Sequence, residues 1–158
     1  DYRIHPYRYD QPLEFEMFAG LVLQELSLDY LRLWGGGWQQ KAPTRLVMEY
    51  FLNQVREAGH PEEKVVVITR VLPDAANLGY DEVGNTILLR ANGRPLSSLQ
   101  SFRDAVSNPK DGYHVLEVLP GQGRAKLIFR ADEMENANRR VRERFGVPEQ
   151  SNGRPQGS

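Results

Sequence analysis

The residue types that most often perform acid–base and nucleophilic chemistry are sparse in this 158-residue sequence. Its histidines are His5, His60 and His114, and it contains no cysteine. A serine nucleophile needs a neighbouring base and a third residue that orients this base, yet no Gly-x-Ser-x-Gly or Gly-Asn-Ser-Gly-Gly segment is present. The lack of cysteine excludes thiolate catalysis and zinc–thiolate sites. We therefore expect no catalytic residues here and no hydrolysis of a protein substrate.

Three other segments have residue types suited to ligands but not the spacing that ligands require. The segment 60–63, His-Pro-Glu-Glu, sets two carboxylates beside one histidine without metal-ligand spacing. Gly35-Gly36-Gly37 is not followed by the Lys-Ser/Thr of a phosphate-binding loop. The arginines between 139 and 144 are interleaved with Glu143 late in a predicted helix, where they complement the helix dipole. We expect no metal, no cofactor and no nucleic acid partner.

Composition and charge describe an ordinary globular domain. Hydrophobic residues make up 40% and charged residues 26% of the chain, and the net charge is -1. The length corresponds to about one domain, and the balanced charge gives no overall field that would attract nucleic acid. No apolar run approaches the roughly 20 residues that cross a bilayer, so no membrane span is expected. The chain begins Asp-Tyr-Arg without a methionine, which we interpret as a piece of a longer protein.

Apolar periodicity predicts a mostly antiparallel β domain with a few helices. Gly20 interrupts the first strand, which suggests a bulge or a close backbone approach, and Asn92-Gly93 favours a turn with positive φ. Asp132 and Glu135 resemble a capping pair at the start of the last helix. The predicted strands are 15–23, 65–72, 84–91, 113–119 and 125–129, and the predicted helices follow Ser27, Thr44, Ser98 and Asp132.

Short segments along the chain carry a family pattern. Gly84-Asn85-Thr86-Ile87 stands where a Gly-Asp-x-Ile is usual, with Asn85 in place of the aspartate, and residues 91–96, Ala-Asn-Gly-Arg-Pro-Leu, match a Val-Asn-Gly-x-x-Val hairpin. With these, residues 65–129 resemble a PDZ domain of the HtrA/Deg-type serine proteases. Roughly residues 15–148 are similar to the second, C-terminal PDZ-like domain of Deg-type proteases with tandem PDZ domains. The segments that carry this closer likeness are 18–23, 29–31, Trp34, 42–43, 77–80 and 145–148.

The resemblance implies an α+β fold with specific parts. These are a PDZ-like, partly open antiparallel β-barrel or sandwich, a groove helix, a helical insert and a C-terminal helix. Residues 1–14 would be a linker, 15–148 the PDZ-like domain and 149–158 a disordered tail. The insert, 27–64, departs from ordinary PDZ domains, which have a short loop at this position.

The resemblance also implies a peptide-binding groove and its residues. A peptide C-terminus adds to a sheet edge beside a helix by β-augmentation, and its carboxylate is held by backbone amides. The implied carboxylate loop is Phe18, Ala19, Gly20 and Leu21. The implied groove residues are Val22 and Leu23 on the strand and Ser101, Ala105 and Asn108 on the helix, with Phe102 and Val106 facing the core. Trp34 and Trp38, beside the triple glycine, are expected to dock the insert on something else.

Two functions remain open for such a domain. In the first, it is a non-catalytic interaction module that docks on neighbouring domains or subunits of a Deg-type protease and so regulates or assembles it. In the second, it captures substrate C-termini in its groove, in the service of proteolysis and protein quality control. The implied partners are the protease domain and the other PDZ domain of the same protein, within a homo-oligomer. The compartment is not assigned, although a bacterial protein of this kind would be periplasmic or extracytoplasmic.

Overall fold

This computed structural model describes residues 14–57, 64–119 and 125–147. Their strands form one antiparallel sheet. Several predicted segments lie outside these ranges. They are the tail 149–158, residues 1–13 of the linker (which include His5) and the segment 60–63. The predicted domain boundaries therefore stay predictions. In the described ranges, no helix is long and apolar enough to cross a bilayer.

The sheet contains seven strands in the described residues, and every paired neighbour is antiparallel. The order is β1-β2-β3-β4-β6-β7, and β5 forms a short hairpin with β4. Residues Asn92 and Gly93 turn this hairpin with φ of 53° and 82°, so the predicted turn is confirmed. The strands are β1 (Glu16–Phe18), β2 (Leu21–Glu25), β3 (Val66–Val71), β4 (Thr86–Ala91), β5 (Arg94–Pro95), β6 (Tyr113–Val118) and β7 (Lys126–Arg130).

Five α-helices and four short 3₁₀ turns accompany the sheet in the described residues. The helices are α1 (Leu28–Leu31), α2 (Trp38–Lys41), α3 (Thr44–Glu57), α4 (Leu99–Val106) and α5 (Met134–Phe145). The 3₁₀ turns are Arg32–Trp34, Ala75–Asn77, Asp81–Val83 and Ala131–Glu133. Helices α1 to α3 lie between β2 and β3, where the insert was predicted. The α+β, PDZ-like fold class is confirmed.

The centre of the sheet is buried on both faces, which explains its continuous apolar sequence. Val66 and Ile68 of β3 point into the main core with Leu88 of β4, whereas Val67 and Ile87 point into a second core beneath the insert. Strand residues alternate faces, so a strand covered on both sides reads as an uninterrupted apolar run. Burying each such side chain contributes about 1.5–3 kcal/mol.

Two sequence predictions are wrong in detail. The segment 15–23 is not one bulged strand, because Ala19-Gly20 reverses the chain and β1 pairs with β2. The predicted capping pair at the last helix is also absent, since Glu133 is its N-cap and makes no side-chain capping bond. Asp132 instead accepts a hydrogen bond from the Arg130 guanidinium at 3.0 Å.

Candidate functional site

The cleft between β2 and α4 is the predicted peptide-binding groove, and β1 already pairs with the edge of β2 that a peptide would need. β2 pairs along one edge with β3 and along the other edge with β1, with Glu16 opposite Leu23 and Phe18 opposite Leu21. Addition of a peptide strand requires an edge whose backbone groups are unpaired. Both edges of β2 are therefore taken within the same chain.

β1 lies in the cleft in the manner of a bound ligand. It runs antiparallel to β2 with its C-terminal end at the predicted carboxylate loop, which is the direction that a peptide C-terminus would take. Met17 is only 2% exposed and Phe18 only 5% exposed. The cleft is thus filled by the chain itself.

The predicted carboxylate loop, Phe18 to Leu21, is a tight two-residue turn. Ala19 and Gly20 have φ of 53° and 89°, values that match the twist of a short hairpin. The Ala19 amide donates to Asn138 Oδ1 on α5 at 2.6 Å. The Asn138 side chain thus takes the Ala19 amide, which is one of the donors that would otherwise bind a peptide carboxylate.

A second asparagine fixes the other side of this turn. Asn77 Nδ2 donates to the carbonyls of Ala19 and Leu72 at 2.8 and 2.9 Å. A Cβ at Gly20 would lie 2.3 Å from the Leu72 oxygen, so only glycine fits this position. The turn is held between the Ala75–Asn77 3₁₀ turn and α5.

The three groove residues predicted on the helix, Ser101, Ala105 and Asn108, lie in different environments. Ser101 forms a capping box with Ser98, and its hydroxyl accepts from the amides of Ser97 and Ser98 at 3.0 Å. Ala105 is fully buried in the main core, and Asn108 is exposed beyond the end of α4. Of the three, only Ala105 belongs to the main core against which β1 packs, so the groove assignment stays a prediction.

Three hydrogen bonds that involve charged side chains attach the two strands to α4. Arg103 of α4 donates to Glu16 Oε1 at 2.7 Å and to Glu14 Oε2 at 2.8 Å, which attaches β1 to the helix. Glu25 of β2 accepts from the Leu99 amide at 2.9 Å. A carboxylate at a helix N-terminus is favoured by the helix dipole. These bonds hold both strands to α4.

The floor of the cleft is an aromatic cluster around Phe18. Its ring makes edge-to-face contacts with Phe102, His114 and Phe129 at centroid distances of 5.2–5.6 Å. His114 is 5% exposed, and burial lowers the pKa of its imidazole. Its Nδ1 lies 3.1 Å from Asn92 Nδ2, so the neutral ring accepts from the asparagine. The cluster is built for a neutral histidine.

Asp74, the N-cap of the Ala75–Asn77 3₁₀ turn, binds an arginine of α5. The Asp74 side chain accepts two hydrogen bonds from Arg140, at 2.7 and 3.1 Å, and a third from the Ala76 amide at 2.9 Å. The Arg140 hydrogen bond lowers the pKa of Asp74 and outweighs the opposing effect of burial. This pair keeps Asn138 of the same helix against the turn.

The insert has its own aromatic packing. Trp34 lies edge-to-face on Tyr30 at 5.2 Å, and Trp38 packs on Tyr50 and stacks on Phe51 at 6.3 and 6.2 Å between centroids. Both tryptophans are half-buried. Among the side chains of α3 that the structure describes, three apolar ones are instead exposed, namely Met48, Phe51 and Leu52 at 59%, 51% and 57%.

The sequence did not identify several residues that shape this site. Arg103, with Glu14 and Glu16, is separated from its partners by nearly 90 positions, so no local pattern reveals the contact. Asn138 stands among polar residues of α5 and has no signal of its own. Asn77 lies in the family segment 77–80, but its hydrogen bond to the Ala19 carbonyl depends on tertiary structure.

Within the described ranges, no group of three His, Cys, Asp or Glu residues is arranged to hold a metal ion. The fold is that of a protein-interaction domain. Residues 4–152 match the PDZ domain family, and the chain belongs to this family.

The comparison with known proteins points to one kind of protease. The chain is 24% identical over 150 residues to Protease Do-like 2, chloroplastic, of Arabidopsis thaliana, an alignment that covers 92% of this chain and 23% of that relative. The predicted resemblance to a PDZ domain of a Deg-type protease is confirmed. Because the chain spans about a quarter of its relative's length, its position as the second PDZ domain stays a prediction.

Proposed function

We propose that this chain is a non-catalytic docking module of a Deg-type serine protease. It attaches to the protease domain, to the other PDZ domain or to neighbouring subunits of a homo-oligomer, and so regulates or assembles the protease. The observation that carries the proposal is the pairing of β1 with β2. This pairing takes the sheet edge that peptide capture requires.

Energetics favour docking over the alternative, capture of peptide C-termini. A short peptide binds a PDZ groove with about -8 kcal/mol. To enter this cleft it must displace β1, and exposing Met17 and Phe18 costs about 1.5–3 kcal/mol for each side chain. The remainder, roughly -2 to -5 kcal/mol, corresponds to dissociation constants from about 30 mM to about 0.2 mM. A closed cleft of this kind is a poor peptide receptor.

The exposed face of α3 supplies a surface for docking. Met48, Phe51 and Leu52 occupy positions i, i+3 and i+4 and therefore lie on one side of the helix. The ring of Phe51 stacks on Trp38, which extends the apolar surface onto α2. Aromatic residues and methionine are enriched at the centres of protein interfaces. Of the two tryptophans predicted to dock, Trp38 shapes this face through its stack on Phe51, whereas Trp34 packs on Tyr30 inside the insert.

The test is association of this chain with the remainder of the protease, supplied as a separate polypeptide. Met48→Ser with Leu52→Ser removes exposed apolar area from this face, leaves the stack of Phe51 on Trp38 in place, and should weaken association at least tenfold. The control is Leu78→Ser, because Leu78 is 79% exposed outside the insert. Equal affinity for the double variant and wild type, measured by isothermal titration calorimetry, would overturn the proposed docking surface.

A further inference from the structure

The outer edge of β7 is a sheet edge whose backbone groups are partly bonded by a side chain of the same chain. The strand order of the described residues ends at β7, which pairs with β6 on its inner side only. An edge strand presents alternate backbone N–H and C=O groups to any chain that can pair with them. Natural proteins protect such edges, so the groups that meet the outer backbone of β7 are informative.

Tyr80 provides the protection at the middle of the strand. Its hydroxyl accepts a hydrogen bond from the Ile128 amide at 3.1 Å and donates one to the Ile128 carbonyl at 3.4 Å. One side-chain oxygen thus satisfies both backbone groups that a neighbouring strand would bind at this residue. Because outward-facing groups alternate along a strand, Lys126 and Arg130 also direct their backbones to this edge.

The position of the Tyr80 hydroxyl is fixed by packing. The tyrosine ring contacts the ring of Phe129 at a centroid distance of 5.5 Å and an angle of 69°, and Phe129 is 2% exposed in the main core. The Tyr80 amide donates to the Asn77 carbonyl at 3.0 Å. Both contacts survive the loss of the hydroxyl, so the oxygen can be removed without displacing the ring.

We infer that Tyr80 closes the edge of β7 against pairing with a second copy of this chain. An antiparallel pair of β7 strands centred on Ile128 would be self-complementary, with Ile128 opposite its own counterpart. Ile128 is 51% exposed and would add apolar contact. Lys126 of one copy would face Arg130 of the other, and this like-charge contact is a second obstacle. The hydroxyl is the obstacle that acts on the backbone itself.

Tyr80→Phe tests the inference in the full chain. We expect exchange of the Ile128 amide with solvent to accelerate about fivefold to tenfold, since one hydrogen bond is lost. At about 1 mM protein in about 0.5 M salt, which screens the Lys126–Arg130 repulsion, the variant should show a dimerisation step in sedimentation equilibrium that wild type lacks. Adding Ile128→Pro removes the outward N–H, which an edge strand tolerates, and should abolish that step.

Two results would overturn the inference. The first is a folded Tyr80→Phe variant that sediments like wild type under these conditions. The second needs no variant: in wild type, the Ile128 amide would exchange as fast as those of Lys126 and Arg130, which face the same edge without the hydroxyl. That comparison can overturn the inference even if the substituted chain fails to fold.

Discussion

Arg103 and Glu16 face each other across the filled cleft and are joined by a hydrogen bond of 2.7 Å between Nε and Oε1. The bond ties the strand that occupies the cleft to the helix that forms its opposite wall. The side chains are only 17% and 15% exposed, so solvent screens this pair less than it would a surface pair. The closed state of the cleft therefore depends on a specific ionic contact as well as on apolar burial.

Removing this contact should loosen β1. Arg103→Met keeps most of the side-chain volume but leaves Glu16 without its guanidinium, and we expect a loss of about 1–2 kcal/mol in the free energy of unfolding. Arg90→Met is the control, because Arg90 lies 4.0 Å from Glu117 and is half exposed, and its loss should stay within about 0.5 kcal/mol. Urea unfolding measures both. Equal effects would argue against a structural role for the Arg103 bond.

A series of glycine-to-alanine changes tests the two turns. Gly93→Ala should cost about 1–2 kcal/mol, because φ is +82° and the new Cβ would meet only the flexible end of Lys110. Gly20→Ala should cost more, since φ is +89° and the Cβ would lie 2.3 Å from a backbone oxygen. Gly84→Ala has φ of -61° and open space around it, so the melting temperature should not fall. Any other ranking of melting temperatures would contradict the described turns.

The sequence predicted the elements well where a local pattern determines them. Helix α4 begins at Ser98 with its capping box, and the turn at Asn92-Gly93 follows from residues that accept positive φ. Apolar periodicity continued one strand through Ala19-Gly20 because Ala rarely adopts a φ of 53°, whereas the family resemblance had placed a loop at Phe18 to Leu21. Here Asn138 and Asn77, distant in sequence, hold the turn in place.

For the cleft, the sequence predicted a strand and a helix at the residues of β2 and α4, but it could not reveal the pairing of β1 with β2. β2 lies in the family segment 18–23, and α4 follows from Ser98 and the apolar periodicity after it, while their role as groove walls stays a prediction. The filling of the cleft depends on the pairing of β1, and a three-residue strand leaves little periodicity to detect. Contacts such as Arg103 with Glu16 are decided by tertiary structure alone.

His114 makes stability depend on pH in the mildly acidic range. Burial lowers the pKa of its imidazole below the ordinary value of about 6.5, so the folded state binds this proton more weakly than the unfolded state. The free energy of unfolding should be largest above about pH 6.5 and should fall with decreasing pH until the folded-state pKa is reached.

His114→Phe isolates this contribution. The variant keeps a ring against Phe18 and Phe129 but cannot titrate, so its stability should be offset from wild type by a constant amount above about pH 6.5. Below that pH the wild-type curve should fall relative to that of the variant, because only wild type loses stability to this proton. Parallel curves in urea unfolding between about pH 5 and pH 7 would exclude His114 as the source.

Asp74 makes the free energy of unfolding depend on pH in a more acidic range than His114 does, because the folded state favours its charged form. The Arg140 hydrogen bond lowers the pKa of Asp74 below 3.8, so its stabilisation is complete above this value and is lost as pH falls through the folded-state pKa. Asp74→Asn should cost about 1 kcal/mol near neutral pH, a modest value because Arg140 is half exposed, and should match wild type in strong acid. The control Asp132→Asn, at an exposed ion pair with Arg130, should change little at any pH.

Titration with peptides that end in a free carboxylate tests the closed cleft most directly. Wild type, followed by backbone NMR, should show no saturable shifts at Leu21–Leu23 or along α4 at about 100 μM peptide, because β1 occupies the edge of β2. A library of varied C-terminal residues guards against an unsuitable sequence, and the same peptides with amidated ends serve as controls. Micromolar binding at Leu21–Leu23 that disappears on amidation would contradict the docking account and establish peptide capture instead.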